Sequence, residues 1–567
     1  MMIWRVNMQK KTLNKEDVPD HWEKLGGRGL SAQILVDEVQ AVCEPLGPRN
    51  KLIFAPGLLV GHMLSSCDRI SIGGKSPLTG GIKEANAGGS TGLTMACLGI
   101  KALILEGFPL DNDWQILYLD KDGARFENAG DIAGLGVYDS AKKLIQRYGD
   151  KIGIALIGPG GERELFSAGI QNLDKDKEPS RIAARGGLGA VMGSKKIKAI
   201  IFDAAGTNKP LLKNPEAFRQ AQKIYTQALM NQPQTKVYAD YGTAAMPRMS
   251  NGFGGMPTRN FSSGQFEDVE KISGEYMRNL LIERGGESNP THACMAGCTI
   301  RCSNIFGDAN GKKIVAPLEY ETIALVGSNL GISNLDTIAR LNWEINDLGL
   351  DSIEIGAALG VAAEAGLMRF GDGDAAQKLV EEIRKNTPLG RIIGSGAGIT
   401  GKVLGVKRVP IVKNQAMSGY EPRAIKGTGV TYATTPQGAD HTCGLTIRAK
   451  VDHLDPNVQV AISRASQINM AGYDSLGACI FAGFGFGASP QSVKDLINAR
   501  YGWDVNEDYL QVLGKRTLSL EREFNRRAGF TAKDDRLPEW MTTEPVPPHN
   551  AVFDVKDEDL DSLFNWE

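Results

Sequence analysis

The chain has 567 residues, too many for a single hydrophobic core, which predicts two to four domains. Its 64 Lys and Arg residues nearly balance 66 Asp and Glu, which argues against binding to nucleic acid through overall charge. The start of the chain lacks the apolar core of a signal peptide, and the most apolar stretches are too short and Gly-rich to cross a bilayer. We therefore expect a cytoplasmic protein without membrane insertion.

The predicted fold class is α+β, with a β-rich N-terminal domain followed by two mainly helical domains. Residues 1–208 contain five apolar runs of strand length, separated by Gly and Pro, at 51–60, 101–108, 114–120, 151–161 and 197–206. Residues 209–414 begin with a Pro-containing linker and then repeat apolar residues three and four positions apart, which is typical of helices. Residues 415–567 alternate Gly-rich loops with helical patterns, including 492–502 and 509–529.

Three Gly-rich segments, 26–38, 68–95 and 180–200, could hold an anionic cofactor. Glycines allow backbone N–H groups to approach an anion closely, and Arg69, Lys75 or Arg185 could add contacts to phosphate. No segment matches the Walker or Rossmann pattern. Glycines that only form turns are the alternative explanation for each segment.

Three of the eight cysteines, Cys294, Cys298 and Cys302, follow one another at four-residue intervals. Pro290 precedes them and Gly297 lies among them, so we expect a loop leading into a helix. In a reducing compartment such a group indicates a metal centre before a disulfide.

The fourth ligand of this centre must come from elsewhere in the chain. A zinc ion bound by three cysteines and a histidine is one option, although His292 lies cramped beside Cys294. A 4Fe–4S cluster completed by the remote Cys479 is the other. Three buried cysteines without a ligand remain a third interpretation.

Taken together, these residues make the chain resemble the tungsten-containing aldehyde:ferredoxin oxidoreductase family over nearly its full length. The resemblance is carried by the segments "KSPLTGGIKEANAGG", "ARGGLGAVMGSKKIKAI", "LEYETIALVGSNLGI", "LGLDSI", "YATTPQGADHT" and "DSLGACIF". It implies an enzyme that binds tungsten or molybdenum between two molybdopterin molecules, with a 4Fe–4S cluster close by. A magnesium ion that bridges the pterin phosphates belongs to the same expectation.

The resemblance also implies roles for individual residues. The positions that match cofactor-binding residues are Arg69, Asn86, Gly88, Arg185, Gly186, Gly187, Asp351 and Asp474, together with Asn346, which stands where relatives have Asp. The positions that match the cluster ligands are Cys294, Cys298, Cys302 and Cys479.

Glu321 and His441 match the family's catalytic positions. Glu321 would activate water or accept the proton released from the substrate, and His441 would act as an acid/base or hydrogen-bond donor. Without the resemblance, Glu321 could equally be a glutamate on a helix surface, and His441 a loop histidine with satisfied hydrogen bonds.

The chain departs from the family pattern in two places. Its cysteines read C-x3-C-x3-C where the family has C-x2-C-x3-C, so Thr291 could instead replace the first ligand. We favour a one-residue insertion, because "CTIRC" matches the family's second and third ligands and supplies four thiolates. The Glu-x-x-His pair that binds a bridging iron between subunits in some relatives is replaced by Arg340 and Trp343. We therefore predict that any homodimer lacks this iron.

The expected reaction is oxidation of an aldehyde to a carboxylic acid, with electrons leaving through the cluster to a ferredoxin or a partner iron–sulfur protein. Two alternatives remain. The same cofactors could act reductively, for example on an aromatic thioester or a carboxylic acid. A zinc-stabilised binding protein is the alternative outside enzymes, and elemental analysis distinguishes it.

Overall fold

The computed structural model describes residues 1–566 and contains two mixed six-stranded sheets between Met2 and Phe202. The first sheet contains β1 (Met2–Asn7), β2 (Thr12–Glu16), β3 (Leu52–Pro56), β4 (Ile70–Lys75), β5 (Ile82–Ala87) and β6 (Ile100–Glu106), in the order β2-β1-β6-β3-β4-β5. The second contains β7 (Gln115–Leu119), β8 (Ala124–Asn128), β9 (Gly153–Leu156), β10 (Ile170–Asn172), β11 (Arg181–Ala183) and β12 (Ile197–Phe202), in the order β11-β10-β9-β12-β7-β8.

The two sheets share one hydrophobic core, in which the rings of Phe54 in β3 and Phe202 in β12 lie 6.4 Å apart. The five predicted apolar runs correspond to β3, β6, β7, β9 and β12, whose residues are buried almost throughout. Strands buried on both faces appear in a sequence as continuous apolar runs, which is why the pattern found them.

Helices surround these sheets and form most of the rest of the chain. The N-terminal region contains α1 (Asp20–Glu23), α2 (Gly27–Glu38), α3 (Thr91–Cys97), α4 (Val137–Tyr148), α5 (Pro159–Glu162) and α6 (Leu188–Ser194). The middle region contains α7 (Pro215–Met230), α8 (Pro233–Tyr241), α9 (Met246–Gly252), α10 (Gly274–Arg284), α11 (Tyr320–Thr322), α12 (Leu335–Asp347), α13 (Ser352–Glu364), α14 (Gly373–Lys385), α15 (Pro388–Gly394) and α16 (Ala397–Leu404).

The C-terminal region contains α17 (Lys426–Thr434), α18 (Gln459–Leu476), α19 (Ala482–Ala488), α20 (Gln491–Tyr501), α21 (Tyr509–Ala528), α22 (Glu539–Thr543) and α23 (Asp557–Asp561). The predicted helices at 492–502 and 509–529 are α20 and α21. The α+β class with a β-rich N-terminal region is confirmed, while the boundaries at 208 and 414 stay predictions.

Two small sheets interrupt the helical part. One consists of β13 (Asn289–His292), β14 (Ser303–Gly307) and β15 (Lys313–Val315), and the other of β16 (Ile411–Val412) and β17 (Gln415–Ala416). Within residues 1–566, no helix has the length and apolar character needed to cross a bilayer.

The first Gly-rich segment packs against the C-terminal helices. Arg28, at the start of α2, is fully buried and donates hydrogen bonds to Glu521 at 2.7 Å and to Asp474 at 3.2 Å. The backbone N–H of Gly29 donates to the Ser475 hydroxyl at 3.0 Å. Because protein groups occupy these donors, packing explains this segment better than a phosphate site does.

Candidate active site

The four predicted cluster cysteines come together from two distant parts of the chain. Cys294 and Cys298 lie in the loop between β13 and β14, Cys302 immediately precedes β14, and Cys479 follows α18. Each thiol is close enough to the other three for electrostatic interaction. The cysteine spacing therefore identified residues that share one location.

The expectation that these cysteines lead into a helix is wrong. The residues after Cys302 form β14, which pairs with both β13 and β15. Gly297 has a φ of +77°, a left-handed conformation that no α-helix accommodates. The cysteine loop, residues 293–302, is thus a connection between two antiparallel strands.

The chemistry of these thiols suits a metal cluster. Burial raises the pKa of Cys294 to about 12, and it also raises the pKa values of Cys302 and Cys479. Such thiols stay protonated unless a nearby metal stabilises the thiolates. Arg69 and Arg181 lie beside Cys294 and partly offset the effect of burial on its pKa.

The two alternative ligands named for a metal centre, Thr291 and His292, both have partners within the protein. Within residues 1–566, no three His, Cys, Asp or Glu side chains converge on a point where one metal ion could bind. An iron–sulfur cubane is larger and holds its four thiolates further apart. Thr291 donates to the Arg301 carbonyl at 3.1 Å, and His292 Nε2 lies 2.7 Å from an Asp176 oxygen.

Ser66 contacts both parts of the cysteine set, a feature the sequence analysis missed. Its hydroxyl lies 3.7 Å from Cys298 Sγ, and its carbonyl accepts a hydrogen bond from the Cys479 N–H at 2.7 Å. The neighbouring Cys67 is buried and interacts electrostatically with Cys298 and Cys479. The only sequence signal for this segment was its position just before Arg69.

The predicted pterin-contacting residues of the first sheet lie against the cysteine loop. The Arg69 Nε donates a hydrogen bond to Asn86 Oδ1 in β5. A Cβ placed on Gly88 would lie 3.3 Å from Cys294 Sγ and 3.4 Å from Arg69 Nη1. These three positions and Cys294 therefore share one location.

Asp474 lies in the last turn of α18, shortly before Cys479. It accepts a hydrogen bond from Arg28, and burial together with the nearby Glu84 carboxylate raises the pKa of Asp474 to about 8. A carboxyl group that is protonated near neutral pH can donate as well as accept hydrogen bonds.

Arg185 is the centre of a second buried charged group. Its Nε donates to Asp351 at 3.2 Å and its Nη1 donates to the Ala439 carbonyl at 2.7 Å. Asp440 and Glu354 lie 3.9 Å from the same guanidinium. Burial favours the neutral acid, but Lys83 and Arg185 outweigh it and lower the pKa of Asp440 below its usual range.

Gly186 and Gly187 both have positive φ angles, +80° and +76°, where the chain turns into α6. A Cβ on Gly186 would lie 2.4 Å from Lys83 Cγ, and one on Gly187 would lie 2.6 Å from the Phe166 carbonyl oxygen. The turn itself therefore requires glycine at both positions, whether or not they also contact a cofactor.

The two predicted catalytic residues form a pair. His441 Nε2 lies 3.2 Å from Glu321 Oε1, while Glu321 Oε2 accepts the N–H of Gly419 at 2.7 Å. Burial raises the pKa of Glu321, and the nearby His441 opposes this shift. Glu321 is the second residue of the short helix α11, which continues into a π-helical turn at Ile323–Gly327, and such turns are frequent at functional sites.

Two other residues predicted to contact a cofactor, Asn346 and Lys75, have partners within the protein. Asn346 lies beside the Tyr138 side chain. The Lys75 ammonium donates hydrogen bonds to the carbonyl oxygens of Ala41 and Cys43. Trp343, at one of the replaced iron-ligand positions, stacks on Tyr138 with ring centroids 5.4 Å apart. Protein carbonyls therefore occupy the Lys75 ammonium, while contact of Asn346 with a cofactor stays a prediction.

Two family models match this chain. The model of the aldehyde ferredoxin oxidoreductase N-terminal domain matches residues 3–204, and the model of domains 2 and 3 matches residues 220–565.

Individual relatives agree with these models. The tungsten-containing aldehyde ferredoxin oxidoreductase of Pyrococcus abyssi is 33% identical over 96% of this chain and 92% of its own. The WOR-like subunit of an aliphatic sulfonate oxidoreductase of Pyrococcus furiosus is 26% identical over 88% of this chain and 81% of its own.

One solved structure supports the fold. The active site complex of benzoyl coenzyme A reductase with 1,5-dienoyl-CoA superposes with a TM-score of 0.80 at 18% identity, covering 99% of this chain and 92% of the other. The two models span nearly all of the sequence and the Pyrococcus abyssi relative matches along almost its full length, so the chain belongs to the aldehyde ferredoxin oxidoreductase family and is an oxidoreductase.

Proposed function

We propose that this chain oxidises an aldehyde to a carboxylic acid, using a tungsten or molybdenum ion held by two molybdopterin molecules and one 4Fe–4S cluster. The observation that carries the proposal is the position of Gly88, where an added Cβ would lie 3.3 Å from the Cys294 thiol and 3.4 Å from Arg69, so that a pterin-matching segment lies beside the cysteine loop. The names of the relatives, tungsten-containing aldehyde ferredoxin oxidoreductases, support the same metal and substrate class.

The residues that would bind the cluster and the pterins are those of the site described above. The cluster would be bound by Cys294, Cys298, Cys302 and Cys479, and the pterins would be contacted by Arg69, Asn86, Gly88, Arg185, Gly186, Gly187, Asp351 and Asp474. The metal centre supplies a two-electron redox change, while the protein orients it and excludes competing reactions. Asn346, which lies beside Tyr138, stays a predicted contact. Magnesium at the pterin phosphates stays a prediction.

Glu321 and His441 would handle the protons of the reaction. Conversion of an aldehyde and water to a carboxylic acid releases two electrons and two protons. Glu321, whose pKa is raised by burial, is suited to accept one proton, and the adjacent His441 Nε2 can exchange it. His441 Nδ1 has no hydrogen-bond partner within residues 1–566, and both side chains are about one-sixth exposed, at 15% and 17%.

We propose a ferredoxin or a partner iron–sulfur subunit as the electron acceptor. The cysteine loop reaches the surface at Gly297, Thr299 and Arg301, all of which are exposed. Electron transfer to a partner requires such a short route from a buried cluster to the surface. A homodimer, if one forms, would lack the bridging iron, because Arg340 and Trp343 replace its ligands.

Elemental analysis of anaerobically purified protein, followed by an aldehyde panel with a viologen acceptor, tests the proposal. We expect tungsten or molybdenum, about four irons per chain and aldehyde-dependent viologen reduction. The His441→Ala variant should keep its metals and lose turnover.

Two other results would reject the proposal. Zinc as the only metal would favour the zinc-stabilised binding protein. Oxidation of reduced viologen by a thioester or carboxylic acid, with no aldehyde oxidation, would favour the reductive alternative.

A further inference from the structure

A cage of aromatic rings surrounds Arg448, on the loop that follows His441. The guanidinium carbon lies 4.8 Å from the ring centroid of Tyr238, 5.8 Å from that of Phe481 and 5.6 Å from that of Phe484. The Arg448 Nη2 also donates a hydrogen bond to the Tyr238 hydroxyl. Ring faces attract a cation, so the cage fixes the position of the guanidinium.

Among the residues that the structure describes, this cation has no acidic partner. Within residues 1–566, its hydrogen bond goes to Tyr238, and no carboxylate pairs with it. A guanidinium has five N–H donors, and Arg448 is only half-buried, so most of these donors remain available. By contrast, Arg28 and Arg185 in the same protein bind carboxylates directly.

Tyr420 interacts with residues of both the aromatic cage and the catalytic pair. Its ring centroid lies 6.0 Å from that of His441. Glu321, Arg448 and Tyr238 are all close enough to act electrostatically on the Tyr420 hydroxyl. Tyr420 is therefore within electrostatic range of both the guanidinium and Glu321, and Arg448 lies on the loop that follows the short 3-10 turn His441–Cys443.

We propose that Arg448 binds a carboxylate on the substrate, so that the substrate class is an aldehyde that carries a second, anionic group. This inference rests on the proposed function. A carboxylate can accept two parallel hydrogen bonds from a guanidinium, and such charge-assisted pairs are stronger than neutral hydrogen bonds. Phe481 and Phe484 would pack against the hydrocarbon that joins the carboxylate to the aldehyde.

Matched substrate pairs test the proposal: benzaldehyde against 4-carboxybenzaldehyde, and butanal against 4-oxobutanoate. We expect a KM for the charged member about ten- to a hundredfold below that of the neutral one, from the usual strength of hydrogen bonds between charged groups. Arg448→Gln should raise the KM of the charged member to the neutral value and leave kcat and KM of the neutral member unchanged. Arg448→Lys, which keeps the charge but not the fork, should give an intermediate KM.

Arg125→Gln is the matched control, because the Arg125 guanidinium also lies over a tyrosine ring, 3.4 Å from the centroid of Tyr118 in the second sheet. This variant should leave the preference unchanged. If Arg448→Gln does not fold, the KM of the Arg448→Lys variant for the charged substrate tests the proposal instead. Equal effects on charged and neutral substrates, or a wild-type enzyme with no preference, would overturn the proposal.

A binding measurement separates this inference from the proposed function. Calorimetric titration of the holoenzyme should detect tighter binding of terephthalate than of benzoate, and Arg448→Gln should abolish the difference. If neither aldehyde is oxidised but terephthalate binding still depends on Arg448, the aldehyde oxidase function fails and the carboxylate site stands. If oxidation occurs and the two acids bind equally, only the carboxylate site is refuted.

Discussion

Glu321 Oε1 and His441 Nε2 lie 3.2 Å apart, although one residue belongs to a short helix of the middle region and the other to a 3-10 turn of the C-terminal region. The second oxygen of Glu321 is held by the Gly419 N–H at 2.7 Å. A Cβ on Gly419 would lie 3.0 Å from that oxygen, so the approach leaves little room for a side chain. The backbone thus fixes the carboxylate with one oxygen directed at the histidine.

The position of Glu321 predicts a pH dependence. Burial raises the pKa of this carboxyl above its usual value of 4.5, and a proton acceptor must be ionised. Turnover should therefore fall as the pH drops through this raised pKa, at a pH above that expected for an exposed glutamate. Glu321→Gln should lower turnover by about a hundredfold or more, remove this acid limb and leave the metal content unchanged.

Glu364→Gln serves as the control, because it removes a carboxylate that pairs with Arg408. Its pH–rate profile should match that of the wild type. Full turnover in Glu321→Gln would assign Glu321 a structural role instead.

The sequence predicted the parts of the fold whose signal is local. Buried strands such as β6 and β12 appear as apolar runs. The edge strands β2 ("TLNKE") and β8 ("ARFEN") are polar and half-exposed, and β10 has three residues, so composition gave no signal for them. Their hydrogen bonds to neighbouring strands, which single-sequence patterns do not contain, stabilise them.

The sequence could not predict contacts between segments that lie far apart in the chain. The spacing of Cys294, Cys298 and Cys302 was visible in the sequence, but the Ser66 contacts were not, since they depend on a loop from the first sheet. The cage of Arg448 likewise combines α8 with residues around α19. The residues after the cysteines form β14 and not the expected helix, because they pair with β13 and β15.

Removing one cysteine tests the cluster. Cys298→Ala should abolish the visible absorbance of the cluster and lower the iron content, since a cubane loses a thiolate ligand. Cys97→Ala is the matched control, because Cys97 is half-buried like Cys298 but belongs to a different part of the fold. The absorbance and the iron content of this control variant should equal those of the wild type. Unchanged absorbance in Cys298→Ala would remove this residue from the ligand set.

Ser66 is expected to tune the cluster. A hydroxyl that donates a hydrogen bond to a ligand sulfur stabilises the more negative, reduced state, so loss of the hydroxyl should lower the reduction potential. Both Ser66→Ala and Ser66→Gly should show this shift in a potentiometric titration monitored by electron paramagnetic resonance. The glycine variant also suits the φ of +62° at this position.

Ser65→Ala provides the comparison, since the Ser65 hydroxyl hydrogen-bonds to Thr299 and not to a cysteine. Its potential should equal that of the wild type. An equal shift in the Ser65 and Ser66 variants would indicate a general disturbance of the loop and not the loss of one hydrogen bond.

Gly187 should matter for stability independently of any cofactor. Its φ of +76° is strained for a residue with a Cβ, and that Cβ would lie 2.6 Å from the Phe166 carbonyl oxygen. Gly187→Ala should therefore lower the free energy of unfolding by about 2 kcal/mol or more, measured by denaturant titration. Gly123→Ala, where a Cβ would meet no heavy atom within 4 Å, should change it by less than about 0.5 kcal/mol. If both variants unfold alike, cofactor contact and not the backbone turn would explain glycine at position 187.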